Sequence, residues 1–285
     1  MISSLVSIAC ASSRIEILRI PQSSGFKELR PQLHLILRSG PGLFKSTILK
    51  AVGEQYGVAP YSNVTFPGMI GTVDQSTGKI IPGLVWQARK KPLLLDEFKT
   101  GERGDSAAVD VLLGTMESGY YKRKIGLRSE SYHDPDGSLF YRMENGEIEV
   151  QTRFAAIIAT MKNWDMSRSG KYTALTQRCI PIRYSLDDAT IDAVLDGTQI
   201  PYRHRKYDPP QHARITLKEY RKIRDVAADV RDRNRNFKDV YARAIGDVCR
   251  ILAVTGRLDL ELFRLVCNLK AGLPLENALQ LCGES

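Results

Sequence analysis

The 285-residue chain is poor in the residues that build metal centres and hydrolytic triads. Its four histidines (His34, His133, His204, His212) stand apart, with no HxxxH pair. Its five cysteines (Cys10, Cys179, Cys249, Cys267, Cys282) are odd in number, far apart and without a CxxC pair. That spacing leaves a structural zinc without a ligand set and points to reduced thiols. No apolar run reaches the roughly 18 residues of a membrane span, and the first ten residues lack a positive segment followed by a long apolar core. A cytoplasmic or nucleoid-associated chain, neither secreted nor membrane-bound, is therefore expected. No internal repeat or low-complexity tract is present.

What the chain does have is an ordinary 43% hydrophobic content and a formal charge of +9. The length suffices for one large core and a smaller appended domain. A positive balance is compatible with nucleic acid, and its distribution matters more than its total. Basic residues gather at Lys122, Arg123, Lys124 and Arg128, and again from Arg203 through Lys206 to Arg231, Arg233 and Arg235. A solvated helix face accounts for the second group equally well.

Two apolar runs end in chemistry. Leu93-Leu94-Leu95 closes abruptly on the carboxylates Asp96 and Glu97, as a buried strand does when it delivers acids to a site edge. Upstream, Leu35-Ile36-Leu37 runs into Ser39-Gly40-Pro41-Gly42-Leu43-Phe44 and then Lys45-Ser46-Thr47. This predicts strand 33–38, loop 39–44 and helix 45–56. A helix is expected over 2–18, a hairpin over 69–82, a helix over 105–117 and a β-rich insert over 120–152, with turns at 134–137 and at Asn145-Gly146. The apolar run 154–160 fits a strand covered on both faces. Alternating strands and helices imply a parallel α/β sheet, and from Asp187 onward the text is mostly helical, with long helices at about 216–230 and 238–255.

A nucleoside triphosphate needs backbone amides around its phosphates, a cation on the β/γ oxygens, a hydroxyl on magnesium and an acid near the attacking water. Gly40, Pro41 and Gly42 are candidates for the cradle, Lys45 for the β/γ-phosphates, and Ser46, beside Thr47, for the magnesium. Asp96 would hold the magnesium shell and Glu97 would polarise water. The loop departs from GxxxxGK[ST], with Ser39 in place of the first glycine and Phe44 in place of the last.

The order of these features resembles the ATPase module of the minichromosome maintenance (MCM) replicative helicases, a branch of the AAA+ family. That family's loop also carries a variant residue before the lysine, and its acid strand continues Asp-Glu-Phe, as Asp96-Glu97-Phe98 does here. The helix ending Met116-Glu117 is similar to the family helix ending Met-Glu-Gln. Leu175-Thr176-Gln177-Arg178 resembles its Leu-Ser-Arg motif, which nominates Arg178 as an arginine finger acting on a neighbouring subunit. The lid pattern resembles Arg243-Ala244-Ile245-Gly246-Asp247-Val248-Cys249-Arg250-Ile251, nominating Arg243 as second sensor. Asn163 or, failing that, Thr160 would be the first sensor.

The resemblance spans about residues 30–260. It implies a helical lead-in over 1–30, an AAA+ α/β core with hairpin inserts over 31–188 and a helical lid over 189–285. It further implies ATP and Mg²⁺ as ligands, self-association into a ring, a hexamer by the family's pattern, and inserts that grip DNA through Lys122, Arg123, Lys124 and Arg128. The expected function is an ATP-driven DNA helicase or translocase reduced to its motor, with a partner replacing the family's N-terminal region. Two alternatives stay open: an AAA+ protein remodeller, and a nucleotide-binding scaffold or loader whose loop has degenerated at Phe44 and Ser39. Tyr120, Tyr121, Tyr132 and Tyr141 are candidates for base stacking, although alternating aromatics in a hairpin more often pack across strands.

Overall fold

The structure is a computed structural model and describes residues 1–74, 76–98, 106–124, 130–135, 137–161, 170–233, 241–257 and 259–283. The chain opens with α1 (Ile2–Ser12) and a hairpin of β1 (Ile17–Gln22) and β2 (Gly25–Leu29). β3 (His34–Ser39) leads through a loop into α2 (Lys45–Tyr56). Next come α3 (Phe66–Ile70), the hairpin β4 (Gly71–Val73) and β5 (Ile80–Pro82), α4 (Leu84–Gln87), β6 (Pro92–Leu95) and α5 (Ser106–Ser118). The insert holds β7 (Tyr120–Lys124), β8 (Glu130–His133), β9 (Phe140–Glu144) and β10 (Glu147–Gln151). β11 (Ala155–Met161), α6 (Gly170–Arg178) and β12 (Cys179–Arg183) complete the α/β part. The remainder is α7 (Asp188–Leu195), β13 (His212–Arg214), α8 (Leu217–Arg233), α9 (Tyr241–Thr255), α10 (Leu260–Lys270) and α11 (Leu275–Gly283).

Four strands pair in parallel in the order β12-β3-β11-β6, with Leu35 opposite both Ile157 and Ile180. Successive side chains of a strand face opposite ways, and here both ways are apolar. Leu35, Leu37, Ile157, Ala159, Ile180 and Ile182 join a core with α1, α2, α9 and α10. Ile36, Ala156, Ile158, Leu93 and Leu95 join a second core with α3, α4, α5 and the insert. A sheet buried on both faces explains why these strands read as continuous apolar runs. His34 lies in this interior, its Nδ1 accepting the Ala156 N–H at 3.0 Å. Burial, then Arg30 and other nearby cations, pushes its pKa well down, so it is a neutral core residue.

Local chemistry starts the helices. Thr216 and Glu219 form a reciprocal capping box before α8, the Thr216 Oγ1 accepting from the Glu219 N–H at 3.2 Å and Glu219 Oε2 from the Thr216 N–H at 2.8 Å. Asp187 caps α7 by accepting from the Thr190 N–H, and Asp259 caps α10 through the Leu262 N–H.

The expected helix over 2–18 ends at Ser12. The hydroxyls of Ser12 and Ser13 donate back to the carbonyls of Ala9 and Cys10, competing with further helix, and Ile15 onward turns into the strand β1. Residues 1–30 thus comprise one helix and a hairpin, and β1 also pairs in parallel with β13, far downstream in the chain. The insert is a four-stranded antiparallel sheet in the order β7-β10-β9-β8, and Asn145 (φ 52°) and Gly146 (φ 75°) make the tight turn between β9 and β10. Among the described residues no helix is long and apolar enough to cross a membrane.

Candidate functional site

The carboxyl ends of β3, β6 and β11 open onto one cleft of about 270 Å³, lined by residues 41–47, Asp96, Glu97, Thr160 and Met161. An open parallel sheet presents ligands at this edge. Gly40 lies beside this lining, its carbonyl bound by Lys45. β11 lies between β3 and β6, so Thr160, near its end, arrives between the loop and the acids. Asn163 lies outside the described residues.

The loop takes glycine-like dihedrals at two places. Gly42 has φ 75°, and Phe44 has φ 57°, ψ 15°, the left-handed conformation that glycine adopts most easily. Phe44 therefore keeps the backbone turn that the missing glycine would make, at a cost of about 1–2 kcal/mol for a side chain in that region. Its ring is half-buried and lines the cleft, which stays open. Among the described residues no side chain caps the start of α2, so the first-turn amides at Lys45–Thr47 face the cleft as donors for an anion. Tyr184, just past β12, donates to the Leu43 carbonyl at 2.9 Å and pins the loop from behind.

Lys45 is buried and folds onto its own loop. Its Nζ donates to Ser39 O at 3.1 Å, Ser39 Oγ at 2.9 Å and Gly40 O at 2.6 Å. Burial lowers its pKa, while the negative charges of Asp96 and Glu97 act in the opposite direction. The acids are held by their neighbours: the Asp96 N–H donates to Tyr61 O at 2.9 Å, and buried Phe98 donates to Ala159 O at 3.3 Å. Between these anchors Glu97 is forced to φ 47° and is exposed. A non-glycine residue in that region stores strain of the kind found at functional sites.

The residues fit a magnesium–triphosphate ligand in kind. Magnesium takes one or two carboxylates and fills its shell with phosphate oxygens and water, so Asp96 and the Ser46 hydroxyl make a sufficient protein share. Among the described residues no group of three or more His, Cys, Asp or Glu comes together as an all-protein metal cage.

Arg178 and Arg243 do not line this cleft. Both line a second cavity of about 960 Å³, with Arg30, Glu117, Arg224, Asp247 and Arg250 among its other walls. Arg178, the last residue of α6, donates to Ala174 O at 2.9 Å and pairs with Glu117 at the end of α5. Burial, then Arg243, lowers its pKa. The two arginines were nominated by separate motifs, and the fold places them in one cavity.

In the insert, Lys122 reaches both Glu147 and Glu149 at 2.7 Å. The guanidinium of Arg123 lies 4.2 Å from the centroid of the Phe66 ring. Lys124 is exposed, with no ion-pair partner among the described residues, and Arg128 lies outside them. Tyr141 is fully buried against Trp86 and Tyr132, which removes it from the stacking candidates. Tyr120 and Tyr132 stay exposed.

Neither a scan against protein-family models nor a search of curated proteins finds a match to the sequence. Sequence reasoning missed Tyr184 and Lys270, which act on carbonyls far away along the chain with no local pattern to mark them. Asp247 stands inside the lid pattern, but its contact with Lys270 is long-range.

Proposed function

We propose that this chain is the motor of a ring-forming, ATP-hydrolysing DNA helicase or translocase resembling the MCM branch of the AAA+ proteins. One observation carries the reading: Lys45, Ser46, Thr47, Asp96, Glu97 and Thr160 converge on one cleft from three parallel strands. In it Lys45 leaves the carbonyls of Ser39 and Gly40 to meet the β/γ-phosphates. The amides at the start of α2, with those of Gly40 and Gly42 in the turn that Pro41 shapes, hold phosphate oxygens. Glu97 polarises water for in-line attack, and Thr160 orients from the floor. Bound Mg²⁺, held by Ser46 and Asp96, supplies neutralising charge to the phosphates.

The location of Arg178 and Arg243 outside the cleft supports a ring, in which Arg178 would leave Glu117 to complete a neighbouring copy's site together with Arg243. An arginine supplied from a neighbour raises phosphoryl-transfer rates by about 10³–10⁵, so the isolated chain is expected to be nearly inactive. The hairpin β4–β5 and the insert strand β7 are the DNA-gripping elements, with Lys124 the least encumbered phosphate contact.

The test is DNA-stimulated ATP hydrolysis by the assembled chain, lost in Lys45→Ala, Glu97→Gln and Arg178→Ala. Hydrolysis indifferent to DNA removes the helicase claim, and tight nucleotide binding without turnover in a formed ring identifies a scaffold. The pairing of Lys122 with Glu147 and Glu149 favours a second reading, a protein-remodelling ATPase whose inserts hold polypeptide. A ring whose turnover responds to an unfolded polypeptide and not to DNA selects it.

A further inference from the structure

Lys270 closes α10 and is buried, yet its ammonium is far from idle. Its Nζ donates to Gln177 O at 2.9 Å and to Cys179 O at 2.6 Å. Those are the carbonyls on either side of Arg178. The same nitrogen lies 2.9 Å from Asp247 Oδ2, a charge contact outside hydrogen-bond geometry. Asp247 is itself buried on α9, and Arg250 holds its other oxygen at 2.9 Å.

Asp247 stands four residues after Arg243 on α9, so the two share a helix face. Lys270 therefore ties the backbone on both sides of Arg178 to the helix that carries Arg243. Both arginines line the one cavity beside this node. Arg250 extends it by donating from Nε to Arg30 O at 2.8 Å, which anchors α9 to the end of the β1–β2 hairpin.

From this geometry we propose that Lys270, acting with Asp247, is a positioning residue for Arg178 and Arg243. It rests on the reading that these arginines complete a neighbour's nucleotide site. The alternative role is purely structural: a lysine satisfying a last-turn carbonyl of α6 and the first carbonyl of β12 stabilises a helix end wherever it occurs. A structural lysine changes stability alone. A positioning lysine changes the rate of the neighbouring site and leaves the chain's own cleft intact, because Lys270 lines none of it.

Misplacing a catalytic group by about 1 Å lowers a rate by about 10²-fold. Lys270→Met is therefore expected to reduce kcat for ATP in the assembled chain by roughly ten- to a hundredfold, less than Arg178→Ala does. Nucleotide Kd and KM stay within about twofold, because the cleft is untouched. Arg250 still partners Asp247 in this variant, so no carboxylate is left buried alone.

The decisive experiment mixes Lys270→Met with Lys45→Ala, whose own cleft is dead but whose Arg178 is intact. Turnover of the mixture above the sum of the separate variants is expected, since intact arginines then serve intact clefts. Additive turnover, unchanged kcat in Lys270→Met, or a raised KM at constant kcat overturns the proposal. If Arg178→Ala keeps its turnover, the neighbour-completed site itself fails and positioning by Lys270 falls with it; lost turnover in Arg178→Ala beside unchanged kcat in Lys270→Met overturns the positioning role alone. Should Lys270→Met not fold, Lys270→Gln, which keeps N–H donors without the charge, carries the same expectation. Unfolding of both assigns Lys270 a structural role and overturns positioning.

Discussion

The hydroxyl of Tyr141 stands against Gly71, so close that a Cβ built on the glycine would lie 2.1 Å from it. Gly71 has φ 123°, opens the β4–β5 hairpin and is also close to Ile81 O, while Tyr141 sits in β9. This contact packs the hairpin onto the insert sheet. Gly71→Ala adds both a clash and an unfavourable dihedral, and a loss of about 2–4 kcal/mol is expected from overpacking and backbone strain. Denaturant unfolding measures it, and a loss below about 1 kcal/mol contradicts the contact. The Tyr141 hydroxyl is buried and, among the described residues, without a hydrogen-bond partner, so Tyr141→Phe is expected to be neutral or stabilising by up to about 1 kcal/mol.

Phe44 occupies a glycine-type conformation at the threshold of Lys45. Phe44→Gly relieves a strain of about 1–2 kcal/mol in the loop without altering its path. Nucleotide affinity and ATP turnover equal to or above those of the natural chain are expected, by titration and steady-state hydrolysis. A drop of more than about tenfold in either, some 1.4 kcal/mol, means that the ring itself holds the nucleotide.

Lys122 and Lys124 are neighbours on β7 with unlike charge environments. Lys122 is already matched by Glu147 and Glu149, whereas Lys124 has no ion-pair partner among the described residues. A phosphate contact contributes about one unit to the slope of log affinity against log salt. Lys124→Ala is expected to reduce that slope on single-stranded DNA by about one, and Lys122→Ala by less than about half that. Equal reductions rule out the pairing as the cause.

Glu149 is covered by Lys122, Arg142 and Tyr120, and the hydrogen bonds from Lys122, then Arg142, hold its carboxyl at about 2. An unfolded glutamate titrates near 4.3. Because the folded value is the lower one, this stabilisation is fully present above about pH 4.3 and fades as pH falls toward 2. Unfolding of the natural chain is therefore expected to become easier from about pH 4.3 to about pH 2 by a margin that Glu149→Gln lacks. Parallel acid dependence in the two chains contradicts the assignment.

Much of the framework is legible in the chain itself. The helix read at 45–56 is α2 to the residue, and the acid strand, the apolar strand before Thr160 and the Asn145-Gly146 turn all stand where the pattern sets them. The helix read over 2–18 fails after Ser12, because serine hydroxyls that bond to the backbone are silent in an apolar periodicity. Lys122, one of the basic cluster, reads as available until the strand register puts Glu149 opposite it and Glu147 within reach.

Local order along the chain determined that a loop-lysine and an acid pair each close a buried strand, since strand period, helix start and turn chemistry act over a few residues. Only the tertiary structure decided that Thr160 lies between them, that Tyr184 holds the loop 141 positions away, and that Lys270 grips the carbonyls beside Arg178 from about 91 positions downstream. Those partners meet because two buried faces of one sheet draw distant helices together, and a carbonyl offers no side-chain signature by which its partner is read from afar.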